Sequence, residues 1–318
     1  MNKKNICIIG AGQIGSRHLQ ALKAVKTPLE ILVVDNSANS LDIVKERYES
    51  MNTFGGNHIL HYQSQLPENS VFDIAIIATA SGPRAVLTKE LLKKNKVRYI
   101  IMEKLLFQNK NDYGQIDRLL KLKKVKTWIN CPMRIMSFYA GLKNEFDGKK
   151  ITYILHGNQS GMATDLIHHV DFISFLTGST DLEVYTRLLD KKLKESKRKG
   201  YLETTGSLNI FFKNGSQVLI RCDDKGQSPK IIEIFDEKKR YIIFESDERA
   251  IMSRTPDWKP EELKFNLPYQ SQLTTVLVEN LLSKGKCDLP TYKESAKLHL
   301  QTFEPIRKYF KLKYYPFT

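Results

Sequence analysis

Over the first 130 positions the apolar residues come in short unbroken runs, and a stretch with helical spacing follows most of them. Ile6, Cys7, Ile8 and Ile9 make the first run, the pattern of a strand covered on both faces. Ile14, His18, Leu19, Leu22 and Val25 then recur at helical intervals. Residues 30–34 (EILVV) repeat the strand pattern, 41–48 read as a helix and 58–61 as a short strand. Residues 72–78 (FDIAIIA) form a strongly apolar strand. Residues 83–94 form a helix with Pro83 in its first turn, where a missing N–H costs nothing. Strand 98–102, helix 112–123 and strand 126–130 complete the series. Alternation of this kind predicts a parallel sheet wound on both faces.

Beyond residue 130 the rhythm changes. Residues 137–146 read as a helix, 151–157 as a strand and 162–177 as a second helix. Residues 207–212 and 217–223 alternate, with Leu208, Ile210 and Phe212 on one face and Val218, Ile220 and Cys222 on one face. Asn214-Gly215 between them is a strong hairpin signal. Residues 230–235 and 240–245 form another hairpin around Asp236-Glu237-Lys238-Lys239. A meander with one apolar face predicts an open, mainly antiparallel sheet covered on one side and available for self-association on the other. Helices at 271–283 and 292–310 close the chain. No repeat or low-complexity linker appears. The expected architecture is α/β: residues 1–129 as a doubly wound parallel sheet, and 130–318 as an α+β substrate and oligomerisation domain.

Composition narrows the picture. A chain of 318 residues that is 41% hydrophobic supplies two cores. No apolar run is long enough to span a bilayer, and a buried strand so near the first residue leaves no room for a signal peptide. Cys7, Cys131, Cys222 and Cys287 are scattered without metal-ligand spacing, which predicts free thiols in a reducing cytoplasm and no metal. The formal charge of +15 is spread along the chain. Its densest run, residues 191–199 (KKLKESKRK), holds no aromatic residue and reads as a solvated face. Neither nucleic acid nor a membrane is therefore expected as a partner, while the positive field suits an anionic small-molecule substrate.

The candidate chemistry begins after the first strand. Gly10, Gly12 and Gly15 have G-x-G-x-x-G spacing, and Asp35 closes the next strand 20 residues after Gly15. Such glycines allow a tight turn, close approach of a pyrophosphate and helix-on-strand packing, and the helix that follows opens with donors for phosphate. Gln13 and Ile14 lie inside that turn. A carboxylate at position 35 accepts from the ribose hydroxyls and repels a 2′-phosphate, so NAD rather than NADP is expected. Further ligands fall where other strands end: Thr79 and Ala80 in Thr79-Ala80-Ser81-Gly82-Pro83, Glu103 and Lys104, and Asn130. Lys104 can hold a substrate hydroxyl or donate a proton to it. Asp165, His168 and His169 stand at i, i+3 and i+4 of a helix that Gly178 terminates, and so project from one side. A histidine beside a carboxylate suits proton transfer near neutrality. Residues 159–164 and 224–230 are candidate specificity loops.

Together these motifs resemble the Gfo/Idh/MocA family (glucose–fructose oxidoreductase, inositol dehydrogenase and rhizopine-catabolism proteins). The resemblance extends over nearly the whole chain, to Leu289-Pro290-Thr291 before the last helix. It implies a Rossmann domain, an α+β domain whose open sheet builds a homodimer or homotetramer, and hydride transfer between NAD and a sugar or nucleotide-sugar carbinol. It also implies a substrate-binding, proton-relaying role for Lys104, a catalytic role for His168 in His-x-x-Asp with Asp171, and Asp165 as its acidic companion. Asn130 and Arg134 match a segment near nicotinamide and substrate. Two departures stand out. Leu105 replaces a usual proline, and the usual aspartate-to-histidine spacing of four fits His169 rather than His168. The wording of both motifs looks most like members in surface-polysaccharide or nonulosonic acid sugar pathways. The alternative is a non-catalytic NAD-binding redox-sensing or regulatory protein on the same fold.

Overall fold

The computed structural model describes residues 3–53, 55–158 and 161–318. By its internal contacts the chain divides into two compact units: Met1–Asn130 with Pro268–Lys293, and Cys131–Leu267 with Glu294–Thr318.

The first unit contains β1 (Lys4–Ile9), α1 (Gln13–Leu22), β2 (Leu29–Val34), α2 (Ala38–Glu49), β3 (Ile59–Gln63), β4 (Val71–Ile77), α3 (Ser81–Lys94), β5 (Lys96–Met102), α4 (Lys110–Lys123) and β6 (Lys126–Ile129). All six strands are parallel, in the order β3-β2-β1-β4-β5-β6. Ile6, Cys7 and Ile8 are fully buried, as unbroken apolar runs require when helices cover both faces. Strand order reverses between β1 and β4, which opens a crevice beyond their carboxyl ends.

In the second unit lie α5 (Ser137–Phe146), β7 (Thr152–His156), α6 (Met162–Thr177), β8 (Leu182–Tyr185), the short pair β9 (Lys194–Glu195) and β10 (Leu202–Glu203), β11 (Gly206–Phe212) and β12 (Gln217–Cys222). β13 (Ile231–Phe235), β14 (Lys239–Phe244), β15 (Arg249–Arg254) and β16 (Glu261–Lys264) follow. Eight of these strands form one sheet, in the order β16-β15-β14-β13-β7-β12-β11-β8. Its pairings are antiparallel except β7 with β12. The expected alternation holds: Leu208, Ile210, Val218 and Ile220 are buried, while Phe211 and Leu219 on the other face stay exposed. At the Asn214-Gly215 turn, Gly215 has φ 87° and donates its N–H to Phe212 O at 2.8 Å. The outer strands β8, β15 and β16 carry too few apolar positions to stand out by alternation alone.

Two helices complete the chain, α7 (Gln270–Lys284) and α8 (Tyr292–Tyr309). α7 belongs to the first unit, so 268–293 departs from a division of the chain at residue 130. It packs on α1, with Thr275 Oγ1 donating to Ala21 O at 2.7 Å and Lys26 N–H donating to Glu279 Oε1 at 3.1 Å. Periodicity gives a helix its apolar face but not the surface that face will cover. Among the described residues no helix is long and apolar enough to cross a membrane.

Candidate active site

Strand register places the first unit's candidates on one edge. Ile9 pairs with Val34 and Ile77, Ile77 with Met102, and Met102 with Ile129. The ladder continues one residue further: Gly10 N–H donates to Val34 O, Ala78 N–H to Ile9 O, Glu103 N–H to Ile77 O and Asn130 N–H to Met102 O, at 2.8–3.0 Å. The glycine turn, Asp35, Thr79, Glu103, Lys104 and Asn130 therefore all follow aligned strand ends.

The turn has the shape a dinucleotide needs. Gly10 has φ 101°, a left-handed conformation that disfavours side chains. A Cβ on Gly15 would lie 1.9 Å from Gly10 O, so helix and turn touch there, whereas a Cβ on Gly12 would meet nothing within 4 Å. No side chain caps α1 at Gly12, which leaves its first amides to a ligand. Gln13 is exposed and accepts from Arg47 Nη1 at 3.0 Å, and Ile14 is half-buried. Asp35 is held by two backbone donors, Ala11 N–H at 2.7 Å and Ser37 N–H at 2.9 Å. Each of its oxygens keeps acceptor capacity for a ribose hydroxyl. Ala80 is the N-cap of α3, again without a side-chain cap. Thr79 Oγ1 and Asn130 Oδ1 are buried with no hydrogen-bond partner among the described residues. Buried polar atoms normally find a partner, and two of them here, on the β4–β6 half of the edge, fit a nicotinamide nucleotide.

Glu103 is nearly buried, and His18 Nε2 lies 2.9 Å from its Oε1. Burial would raise its carboxyl, but the His18 hydrogen bond and charge, the Asn130 amide and the Arg84 guanidinium together hold it below the usual glutamate value. Arg84 is itself buried and donates to the carbonyls of Thr79, Leu105 and Leu106. It thereby ties together the loops after β4 and β5. Lys104 is half-buried, and its peptide to Leu105 is cis. Arg84 was not among the residues singled out by motif; a lone arginine in an otherwise ordinary helix carries no signal of burial.

In the second unit, α6 carries Asp165, His168 and His169, but they do not share one environment. His169 is buried, with Nδ1 2.5 Å from Tyr153 Oη on β7 and Nε2 3.7 Å from Asp165 Oδ2. His168 lies on the half-buried stripe with Thr164 and Asp165. Lys230, just before β13, donates to Asp165 Oδ2 at 2.9 Å and lies 3.0 Å from Glu245 Oε2, and Glu245 Oε1 accepts from Tyr139 Oη at 2.5 Å. Burial would raise the Asp165 carboxyl; the neighbouring His169 imidazole and the hydrogen-bonded Lys230 ammonium outweigh it and hold Asp165 well below the usual aspartate value. Lys230 is conversely raised, because the two carboxylates more than offset its burial. Lys230 ends the candidate loop 224–230, whereas Glu245, Tyr139 and Tyr153 had no motif to announce them.

Asp171 pairs with Arg134 rather than with a histidine. Arg134 Nε and Nη2 donate to its two oxygens at 2.7 Å each, and the guanidinium lies over the Phe175 ring. Burial pushes the Asp171 carboxyl up to about 6, still ionised at neutrality beside the guanidinium. Arg134 thus braces α6 against the start of the unit. The N-terminus of α6 is capped from a distance: Glu203 Oε1 accepts from Ala163 N–H at 2.5 Å, and Glu203 Oε2 from Thr164 Oγ1 at 2.6 Å. A Cβ on Gly161 would lie 1.7 Å from Glu203 Oε2, so glycine is required for the cap. Of the loop at 159–164, Gln159 and Ser160 lie outside the described residues. Among those described, no group of three or more His, Cys, Asp or Glu could hold a metal ion.

Residues 4–131 match the model of the GFO_IDH_MocA oxidoreductase family, NAD-binding Rossmann fold. Among solved structures, an oxidoreductase from Agrobacterium radiobacter in complex with NAD+, L-tartaric acid and magnesium is 14% identical, with a TM-score of 0.67 over 95% of this chain and 96% of that one. UDP-N-acetylglucosamine 3-dehydrogenase from Acidithiobacillus ferrooxidans is 12% identical, with a TM-score of 0.69 over 96% and 97%. Biliverdin reductase from Synechocystis sp. PCC 6803, in complex with biliverdin and NADP+, is 12% identical, with a TM-score of 0.70 over 96% and 98%. At these identities the likeness establishes the fold. No curated protein matches the chain.

Proposed function

We propose that the protein is an NAD-dependent oxidoreductase acting on a CH–OH group of a sugar or nucleotide sugar, a reading supported by the match of residues 4–131 to the model of the GFO_IDH_MocA oxidoreductase family, NAD-binding Rossmann fold. The observation that carries the reading is the aligned edge, where a glycine turn, Asp35, Lys104 and two buried polar atoms without a hydrogen-bond partner among the described residues follow neighbouring strand ends. The dehydrogenase among the structural neighbours and the charge of +15 support an anionic nucleotide sugar as substrate class.

NAD, when bound, supplies the ring carbon that takes or returns hydride. Asp35 accepts from the adenosine ribose hydroxyls and discourages a 2′-phosphate. Lys104 binds the substrate oxygen and polarises it. His168, on the half-buried stripe of α6, takes the hydroxyl proton during oxidation and gives it back during reduction. His169 is turned toward Tyr153, with its other ring nitrogen 3.7 Å from Asp165, and so leaves this role to His168.

Calorimetric titration with NAD+ and NADP+, followed by turnover assays over a panel of UDP-sugars and sugar acids, tests this. Tighter NAD+ binding and measurable nicotinamide reduction or oxidation with at least one substrate are expected. NAD+ binding without turnover across the panel would favour a sensor or regulator instead.

A further inference from the structure

Five side chains of the first unit close a hydrogen-bonded ring. His18 Nε2 lies 2.9 Å from Glu103 Oε1, and the same oxygen accepts from Asn130 Nδ2 at 2.5 Å. Asn130 Nδ2 also donates to Gln270 Oε1 at 2.9 Å, Gln270 Nε2 donates to Thr274 Oγ1 at 2.9 Å, and Thr274 Oγ1 lies 2.8 Å from His18 Nδ1. His18, Glu103, Asn130 and Thr274 are all buried. The ring draws on α1, the ends of β5 and β6, and α7.

The ring decides which way one amide faces. An ionised carboxylate only accepts hydrogen bonds, and Glu103 is held in that form by its partners. Asn130 must therefore turn its NH2 toward Glu103, and Gln270 Oε1 takes the second N–H. A flipped amide would set Asn130 Oδ1 against both acceptor oxygens. With the NH2 fully used, Oδ1 is the buried acceptor left without a partner among the described residues. It follows the end of β6, beside the β5 end that carries Lys104.

We infer that His18, Gln270 and Thr274 are positioning residues that lock the Asn130 amide with its oxygen presented to the carboxamide N–H of nicotinamide. The inference rests on the NAD-binding reading above. Its consequence is selectivity: the protein prefers a dinucleotide whose ring substituent can donate.

The test compares three ligands by calorimetry: NAD+, its 3-acetylpyridine analogue, which has no N–H on the ring substituent, and ADP-ribose, which has no ring. Wild-type protein should bind NAD+ about five- to tenfold more tightly than the analogue, the worth of one hydrogen bond. Gln270→Met, which removes one anchor of the Asn130 amide, should bring that ratio to within about twofold while ADP-ribose binds as in wild type. Thr274→Val should do the same and Thr274→Ser should restore the preference. Unchanged ADP-ribose affinity certifies that each variant is folded. Equal affinity of wild type for NAD+ and the analogue, with ADP-ribose bound, would overturn the inference, as would a preference that survives in both Gln270→Met and Thr274→Val. Failure of wild type to bind ADP-ribose would instead sink the NAD-binding reading.

Discussion

The two units organise their candidate chemistry by opposite means. In the first, the backbone does it: strand register aligns the ends of β2, β1, β4, β5 and β6, and whatever residue comes next stands on the edge. In the second, ions do it. Asp165 is held by Lys230 and His169, Lys230 by Glu245, and Glu245 by Tyr139. Backbone positions set by register tolerate side-chain changes around them, and only the facing of the Asn130 amide depends on the side-chain ring. A site set by partly buried charges fails when one partner leaves, because the other is stranded in a poor solvent.

The sharpest test of that contrast is catalytic. Lys104→Ala and His168→Ala should each lower kcat by about 10²- to 10⁴-fold, the range of a positioned acid–base group, while the NAD+ dissociation constant changes little. Steady-state kinetics with parallel titration measures both. If His169→Ala reproduces the full kcat loss with normal folding and His168→Ala does not, the two histidines exchange roles.

Next comes stability. Lys230→Met leaves Asp165 and Glu245 without their shared cation and should cost on the order of 3 kcal/mol in urea unfolding. Gln13→Ala, on the exposed first turn of α1, should cost well under about 1 kcal/mol. Equal losses would erase the distinction between the two regions.

A smaller effect is expected on cofactor choice. Asp35→Ser removes a charged acceptor and should weaken NAD+ by about 10- to 100-fold while improving NADP+ relative to it. Unchanged preference would detach Asp35 from the ribose.

The smallest separation is in pH. Glu103 and Asp165 are both depressed in the folded state, so each contributes stability that is complete above its unfolded value, near 4. That contribution disappears as pH falls through the lower folded value. The share of stability these two supply, read as melting temperature, should therefore hold from neutrality to about pH 5 and fall away below about pH 4, opposite in sign to that of Asp171, whose raised carboxyl takes up its proton as pH falls through about 6. Lys230→Met should flatten the part due to Asp165, and a slope identical to wild type would contradict the charge network.

What could be read from residues alone follows the same divide. The glycine turn, the acid at 35 and the strand ends are local patterns, and the helix at 162–177 was visible with its Asp and His residues. Which histidine meets Asp165 was not, because one-residue spacing cannot tell the stripe toward Tyr153 from the half-buried stripe beside it. His18 was seen only as a member of an apolar period; its partners Glu103 and Thr274 lie 85 and 256 positions away. Lys230 and Glu203 likewise act through partners 65 and 40 positions away. The open sheet was legible at its central hairpins and not at β8, β15 and β16, whose alternation is too short.

The return of 268–293 to the nucleotide-binding unit has a practical corollary. A fragment ended at residue 130 would lack the helix that covers α1 and the two side chains that complete the polar ring, so it should be poorly soluble and should lose its taste for intact nicotinamide. Supplying that helix through an engineered linker, rather than trimming the chain at its midpoint, is the way to obtain this half as an independent folding piece.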